Sequence, residues 1–289
     1  AELRQFVDWV SSYTLASRGT VLRMALRMGD HLGPGREEVG IRLAGPPPQR
    51  MTPARARVLR LVADGLTRSK GVAAKEAGDS ASVINGLIDE GALETVVIPP
   101  DPVALPPNPD FSKPEFSLPR LAAADMLRKT VEQGGYTVTL LDGVTGSGKT
   151  EVYFEAVAEN IRRKRQTLIL MPEIALTAQF LDRFSGRFGT RPAEWHSQIS
   201  PRKRAQTWAA VAANEVSVIV GARSALFLPY ADLGLVVVDE EHDPAYKQED
   251  GAHYHARDMA VVRGSIAKIP VVLASATPSV ESEVNARPG

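Results

Sequence analysis

Five short apolar runs punctuate the second half of the chain: Val138-Thr139-Leu140-Leu141, Thr167 to Met171, Val216 to Val220, Leu235 to Val238 and Val271 to Ala274. Each is continuous rather than alternating, the pattern of a strand covered on both faces in a parallel sheet. Helical spacing fills most of the intervals and predicts a helix from Lys149 to about Arg163. The expected architecture over residues 116–289 is a doubly wound α/β domain with its ligand site at the carboxyl ends of the strands. Arg162-Arg163-Lys164-Arg165 follows that first helix. The cluster would suit a nucleic-acid patch, but it fits the negative end of the helix better.

The first half reads differently. Glu2 to Leu32 is helical by spacing, with Phe6, Trp9, Val10, Tyr13, Leu22, Ala25, Leu26 and Met28 apolar and Ser17-Arg18-Gly19-Thr20 as the break. Three aromatics at helical spacing, Phe6, Trp9 and Tyr13, are read as core rather than as a stacking surface. Gly45-Pro46-Pro47-Pro48 then reads as a linker. Thr52-Pro53 starts a helix with Val58, Leu61, Val62 and Leu66 inward. A second helix covers Gly71 to Ala77, and a third is capped by Ser80, carries Val83, Ile84, Leu87 and Ile88, and ends at Gly91 before the strand-like Leu93 to Ile98. Three helices and a short ribbon over residues 50–98 predict a winged helix. Pro99 to Pro119 is rich in proline, and residues 99–115 are expected to be a second linker.

Charge modifies this picture. Residues 51–75 hold Arg55, Arg57, Arg60, Arg68, Lys70 and Lys75 against Asp64 alone, whereas residues 76–101 have no Lys or Arg and carry Glu76, Asp79, Asp89, Glu90, Glu94 and Asp101. A recognition helix without a cation is poorly suited to a groove lined by phosphates. Backbone contact from the first helix, or a packing role, is the expectation. The whole chain of 289 residues has formal net charge +0, so nucleic-acid contact must rest on local patches. It has no cysteine, which excludes disulfides and thiolate zinc sites within these residues. No apolar run approaches the roughly 18 residues of a membrane span, and no export signal is visible, so a soluble, cytoplasmic monomer is expected. Opening at Ala1 and closing at Gly289, the sequence reads as a piece of something longer.

The chemistry centres on Gly143-Val144-Thr145-Gly146-Ser147-Gly148-Lys149-Thr150, which fills every position of a phosphate-binding loop between a strand and a helix. Gly143, Thr145, Gly146, Ser147 and Gly148 let backbone N–H groups face a phosphate, Lys149 reaches the β- and γ-phosphates of ATP, and Thr150 is placed to ligate Mg²⁺. Leu235 to Val238 discharges Asp239 and Glu240 at its carboxyl end. Asp239 is expected to hold the Mg²⁺ and Glu240 to orient the attacking water. Ser275 and Thr277 close the next strand, where their hydroxyls can bond the carboxylate loop and sense the γ-phosphate.

These segments, in this order, resemble the first motor lobe of a superfamily 2 helicase. The match is closer to the PriA family of bacterial primosomal, replication-restart helicases, through Gly143 to Tyr153, Met171 to Thr177, Gly221 to Phe227, Asp239 to Asp243 with Tyr246-Lys247-Gln248, and Tyr254 to Asp258. It is dense from about Thr137 to Ser279. The resemblance implies a RecA-like lobe over 116–289, a winged helix over 50–98 and, over residues 1–44, the end of a DNA 3′-end-binding domain. It also implies an ATP-dependent 3′-5′ DNA helicase that binds forks and single strands and initiates primosome assembly with primosome proteins and single-strand-binding protein. Thr177 and Arg223 would meet DNA phosphates. Glu241, His242, Tyr246, Lys247, His253, Tyr254, His255 and Arg257 would relay DNA binding to ATP turnover, the tyrosines and histidines offering ring faces.

Two departures stand out. Leu118 to Ala124 lacks the glutamine with which helicases often contact adenine. The second motor lobe, its arginine fingers and the family's zinc-binding cysteines are absent from this sequence, so these residues alone are expected to hydrolyse ATP barely if at all. The alternatives are a P-loop DNA translocase of another class, or a non-hydrolysing DNA-binding and docking module.

Overall fold

The computed structural model describes residues 2–26, 38–98 and 101–286. Contacts divide them into two units, 2–26 with 102–286 and 38–98 with 101. The division ignores the proline run at Gly45 to Pro48, where the sequence suggested a boundary. The chain opens with α1 (Glu2–Thr14) and α2 (Arg18–Ala25), separated by Ser17, whose hydroxyl accepts the Thr20 amide and caps α2. The helical expectation for Met28 to Leu32 lies outside the described residues.

The smaller unit is β1 (Glu38–Leu43), α3 (Pro53–Val62), β2 (Arg68–Ser69), α4 (Lys70–Ala77), α5 (Ala81–Asp89) and β3 (Leu93–Ile98). Its sheet runs β2-β1-β3, antiparallel throughout, with β1 and β3 paired from Glu38 opposite Ile98 to Leu43 opposite Leu93. Residues 38–43 therefore belong with the three helices, and the strand opposite β3 precedes them in sequence. Ile41, Val58, Val62, Ala73, Ile84, Leu87 and Leu93 form the core. Thr52 accepts the Arg55 amide at 3.3 Å ahead of Pro53, as its sequence position implies. Thr52→Ala is expected to destabilise this unit by about 1 kcal/mol, read as a lower denaturation midpoint.

The charge segregation seen in the sequence disappears in three dimensions. Arg55 meets Glu90 at 2.5 Å, Arg57 meets Asp79 at 2.7 Å, Arg42 meets Glu94 at 2.5 Å, and Arg68 meets both Asp64 and Glu76. Three of the six cations of the basic stretch, Arg55, Arg57 and Arg68, are thus paired with carboxylates of the acidic stretch that follows.

The larger unit continues with α6 (Leu118–Gln133), β4 (Thr137–Asp142), α7 (Lys149–Arg162), β5 (Gln166–Leu170), α8 (Ala178–Phe188), β6 (Ala193–Trp195), α9 (Pro201–Ala212), β7 (Val218–Gly221) and β8 (Leu233–Asp239). A small antiparallel pair, β9 (Lys247–Gln248) and β10 (Tyr254–His255), precedes α10 (Ala256–Ala267), β11 (Pro270–Ser275) and α11 (Val280–Ala286). The main sheet is parallel, in the order β4-β11-β8-β5-β7-β6. All residues of β5, β7, β8 and β11 are buried, which is why their sequences are continuously apolar. Edge strand β4 is the exception to the expected two-sided cover, with Val138 42% exposed.

Alternate strand residues feed two cores. Ile169, Val218, Val220, Leu235, Val237, Val272 and Ala274 face α6, α7 and α8. Leu168, Leu170, Ile219, Val236, Val238, Val271 and Leu273 face the other way, into a core that includes Phe6, Val10, Val21 and Ala25 of α1 and α2. The first helices are thus part of this unit, which supplies the partner surface that the first fifty residues lack. Phe6 packs at 5.2 Å on Phe227, and the Trp208 indole donates to the Ala25 carbonyl. Trp9 and Tyr13 depart from the core expectation: they stack on each other at 4.9 Å and remain 37% and 60% exposed.

The proline-rich segment is not a free linker where it is described. The Asn108 amide donates to the Phe188 carbonyl, Arg187 donates to the Pro109 carbonyl, and Arg162 pairs with Asp110 at 2.9 Å. Pro99 and Pro100 lie outside the described residues. The basic cluster after α7 is also engaged, Arg163 with Glu159 and Arg165 with Asp232.

Candidate functional site

Strands β4, β11 and β8 are adjacent and parallel, so the turns after Asp142, Ser275 and Asp239 leave the sheet at one end. The first is the phosphate loop. Gly148 stands at the N-cap of α7 with φ +81°, left-handed backbone that glycine adopts without strain. A Cβ on Gly143 would fall 2.8 Å from the Ser147 hydroxyl oxygen, so a side chain there would force the serine hydroxyl to turn away. The Ser147 amide donates to the Val144 carbonyl and the Gly143 amide to the Ser275 carbonyl, which ties the loop to β11. Thr145 and Gly146 are exposed at its tip. The Lys149 ammonium folds back on its own loop, donating to the Gly143 carbonyl at 2.5 Å and the Val144 carbonyl at 3.3 Å. The Thr150 hydroxyl accepts from Arg183 of α8 at 3.2 Å.

Asp239, at the end of β8, is only 6% exposed. One turn past Lys149 on α7, the buried Tyr153 hydroxyl donates to the Asp239 carboxylate at 2.9 Å, clamping the phosphate-loop helix to the carboxylate strand. Burial pushes the Asp239 pKa up to about 6 against the Tyr153 hydrogen bond and the Lys149 charge, which lower it. Glu240 comes next with φ +47°, a conformation unusual for a residue with a side chain, and stays partly exposed. The chain turns away from the strand at once, and the Glu241 amide returns to the Ala274 carbonyl. His242 Nδ1 lies 2.7 Å from the Ser275 hydroxyl, which also accepts the Thr277 amide, so the turns after β8 and β11 are joined.

These groups fit a magnesium nucleoside triphosphate. The ammonium of Lys149 meets only main-chain carbonyls, and the loop is shaped by glycine positions that keep its backbone open. One buried carboxylate and one hydroxyl suit Mg²⁺, which usually takes one or two protein ligands and fills its octahedron with water and phosphate oxygens.

The sequence pattern of the DEAD/DEAH box helicase family matches residues 124–285. The chain belongs to that family. It is 43% identical over 197 residues to the replication restart protein PriA of Rickettsia felis, covering 68% of this chain and 30% of that protein. To the PriA of Bacillus subtilis it is 39% identical over 221 residues, 74% of this chain and 27% of that one. The chain thus spans less than a third of the curated relatives it matches. Among solved structures, RecG bound to a three-way DNA junction matches 64% of this chain and 25% of its own, at 20% identity and a TM-score of 0.47.

The residues expected to meet DNA are only partly brought together in this helicase-family lobe. A cleft of about 380 Å³ opens beyond β5, β6 and β7, and it brings together the loops at Pro172 to Ile174, Trp195 to Ser197 and Ala222 to Ser224. Arg223 lines it and donates to the Ala245 and Lys247 carbonyls. Thr177 is not part of its lining; its hydroxyl caps α8 by accepting the Phe180 amide. Lys247 is exposed and paired with Glu249 at 2.8 Å.

Tyr246 and Tyr254 also line this cleft but are largely buried, as are Glu241 and Arg257, which corrects the expectation of open ring faces, whereas His242 and His253 are exposed. Tyr246 is 1% exposed, and its hydroxyl donates to the carbonyls of Leu170 and Asp239. Tyr254 is buried edge-on against Phe227, centroids 5.8 Å apart. His255 is half-buried beside Tyr246, and burial followed by the Arg257 charge lowers its pKa. Glu241 is fully buried and accepts from the Ser279 amide, the Ser279 and Ser282 hydroxyls and Arg257. Burial pushes its pKa up, yet these donors together hold it below the usual carboxylate value. Arg257 also bonds the Ser279 hydroxyl and Asp258.

Sequence reasoning missed Arg183 and Arg120. A Cβ on Gly148 would meet the Arg120 guanidinium carbon at 3.3 Å, so this side chain of α6 lies against the phosphate loop. Nothing in the sequence marks either arginine, since neither falls in a motif.

Proposed function

We propose that residues 102–286, with α1 and α2, are the ATP-binding first lobe of a DNA helicase that restarts replication. What supports the reading is the hydrogen bond between Tyr153 and Asp239, which joins the helix of Lys149 to the strand of the carboxylates. Lys149 leaves its loop carbonyls for the β- and γ-phosphate oxygens of ATP, and the loop N–H groups donate to the other phosphate oxygens. Thr150 and Asp239 hold Mg²⁺, which when bound supplies positive charge against the phosphoryl oxygens. Glu240 orients the attacking water and takes its proton. Ser275 and His242, hydrogen-bonded to each other, carry the state of this site to the turn at Thr277.

In the whole protein a second lobe closes this site and adds arginine; DNA passes the cleft lined by Arg223, and unwinding runs 3′-5′ from forks. The smaller unit serves as a winged helix whose helices pack rather than read bases. Primosome proteins and single-strand-binding protein are the partners, by the likeness to PriA. Among the described residues, no helix is long and apolar enough to cross a membrane.

The metal assignment is tested by Asp239→Asn. The magnesium-dependent gain in nucleotide affinity is expected to fall by about tenfold, because an amide oxygen is a weaker ligand than a carboxylate. Titrations with and without Mg²⁺ that match the parent chain would remove Asp239 from the site.

A further inference from the structure

We propose that Arg120 and Arg183, two arginines outside the loop motif, complete its phosphate-binding surface, and that the ligand is recognised by its phosphates and not by its base. The inference rests on the nucleotide reading above and names how that site selects its substrate: any purine nucleoside triphosphate.

Three cations converge on one turn of chain. Lys149 begins α7, the Arg120 guanidinium lies over Gly148 immediately before it, and Arg183 donates to Thr150 immediately after it. Arg183 is partly balanced by Glu151 at 3.4 Å. Arg120 is exposed and has no ion-pair partner among the described residues. Cations gathered around the same loop, at the positive end of a helix, are stabilised by an anion bound among them. A triphosphate carries that charge. Guanidinium suits the task because its planar fork can give two parallel N–H bonds to a phosphate.

The same turn of α6 offers little with which to read a base. Discriminating adenine from guanine with one side chain takes a donor and an acceptor held together, as on a carboxamide. No residue from Leu118 to Ala124 is a glutamine or asparagine. Beside Arg120 stand Leu118, 83% exposed, and Leu121, 43% exposed, apolar surface that covers either purine equally.

The experiment is calorimetric titration of the 289-residue chain with ATP, GTP and inorganic tripolyphosphate in Mg²⁺. ATP and GTP are expected to bind within about threefold of each other. Arg120→Ala should weaken all three ligands by about tenfold, the order expected for a charge-assisted hydrogen bond, and Arg120→Lys should recover only part of the loss. Arg183→Ala should weaken all three in the same direction. A preference for ATP over GTP above about tenfold, a loss on Arg120→Ala confined to one nucleotide, or no measurable tripolyphosphate binding would each overturn the inference. Lys149→Ala keeps the two readings apart. If it leaves every affinity unchanged, the nucleotide site itself is wrong; if it abolishes binding while Arg120→Ala is silent, only the arginine inference fails.

Discussion

Lys149→Ala is expected to weaken ATP binding by at least about 100-fold. In the resting loop the ammonium has only the Gly143 and Val144 carbonyls as partners. Exchanging them for two phosphate oxygens replaces neutral acceptors by charged ones, and each hydrogen bond to a charged group contributes about 1.5–3 kcal/mol. Two such bonds amount to two or more decades in Kd. Alanine should be tolerated by the fold, because the Lys149 side chain is partly exposed and α7 is anchored further along by Val152, Tyr153 and Phe154. Equilibrium binding of a fluorescent ATP analogue, with circular dichroism as a check on folding, measures the effect. Affinity within a few-fold of the parent in a folded variant would break the link between this loop and a nucleotide.

The parallel sheet and the phosphate loop were legible in the sequence for the same physical reason. Burial on both faces forces β5, β7, β8 and β11 into continuous apolar runs, and a backbone that wraps a phosphate demands glycine at fixed spacing. Edge strands escape that pressure. β6, at one edge, has only three residues and leaves no run to detect, whereas β4, at the other, keeps the readable run Val138 to Leu141 although Val138 is exposed. Long-range partnership was not legible at all. The spacing of Phe6 and Val10 revealed an apolar face on α1, but nothing in it pointed to Phe227 more than two hundred residues later. Proline content likewise reported a chain without helix or strand, not one without contacts: Asn108 and Pro109 use main-chain groups to bind α8.

Charge was the least reliable guide, because a side chain's partner decides what its charge does. Two of the three arginines of α3, Arg55 and Arg57, which by sequence suit a surface for phosphates, face Glu90 and Asp79. The reverse holds at the phosphate loop, where Arg120 and Arg183 are too far away in sequence to be recognised beside Lys149. Motif reading identified the atoms that define the site but not the side chains that the fold packs around it.

Glu241 is a motif residue that faces inward, and its role changes accordingly. Its carboxylate has no exposed surface and collects donors from Arg257, Ser279 and Ser282, joining the turn after β8 to the start of α11. Removing it leaves the largely buried Arg257 with Asp258, the Ser279 hydroxyl and the more distant, exposed Glu281, and breaking a buried pair by deleting one partner costs about 3 kcal/mol or more. Glu241→Ala is therefore expected to destabilise the larger unit by about that amount, seen as a lower denaturant midpoint at unchanged slope. Glu241→Gln, which keeps the shape and one acceptor oxygen, should fall between the parent and the alanine variant. DNA affinity at temperatures where both variants are folded should change little, since the carboxylate does not reach the surface. A fully stable Glu241→Ala that has lost DNA affinity would reverse this assignment: the carboxylate would then act at the DNA surface, and Arg257 would find its compensation in Asp258 and Glu281.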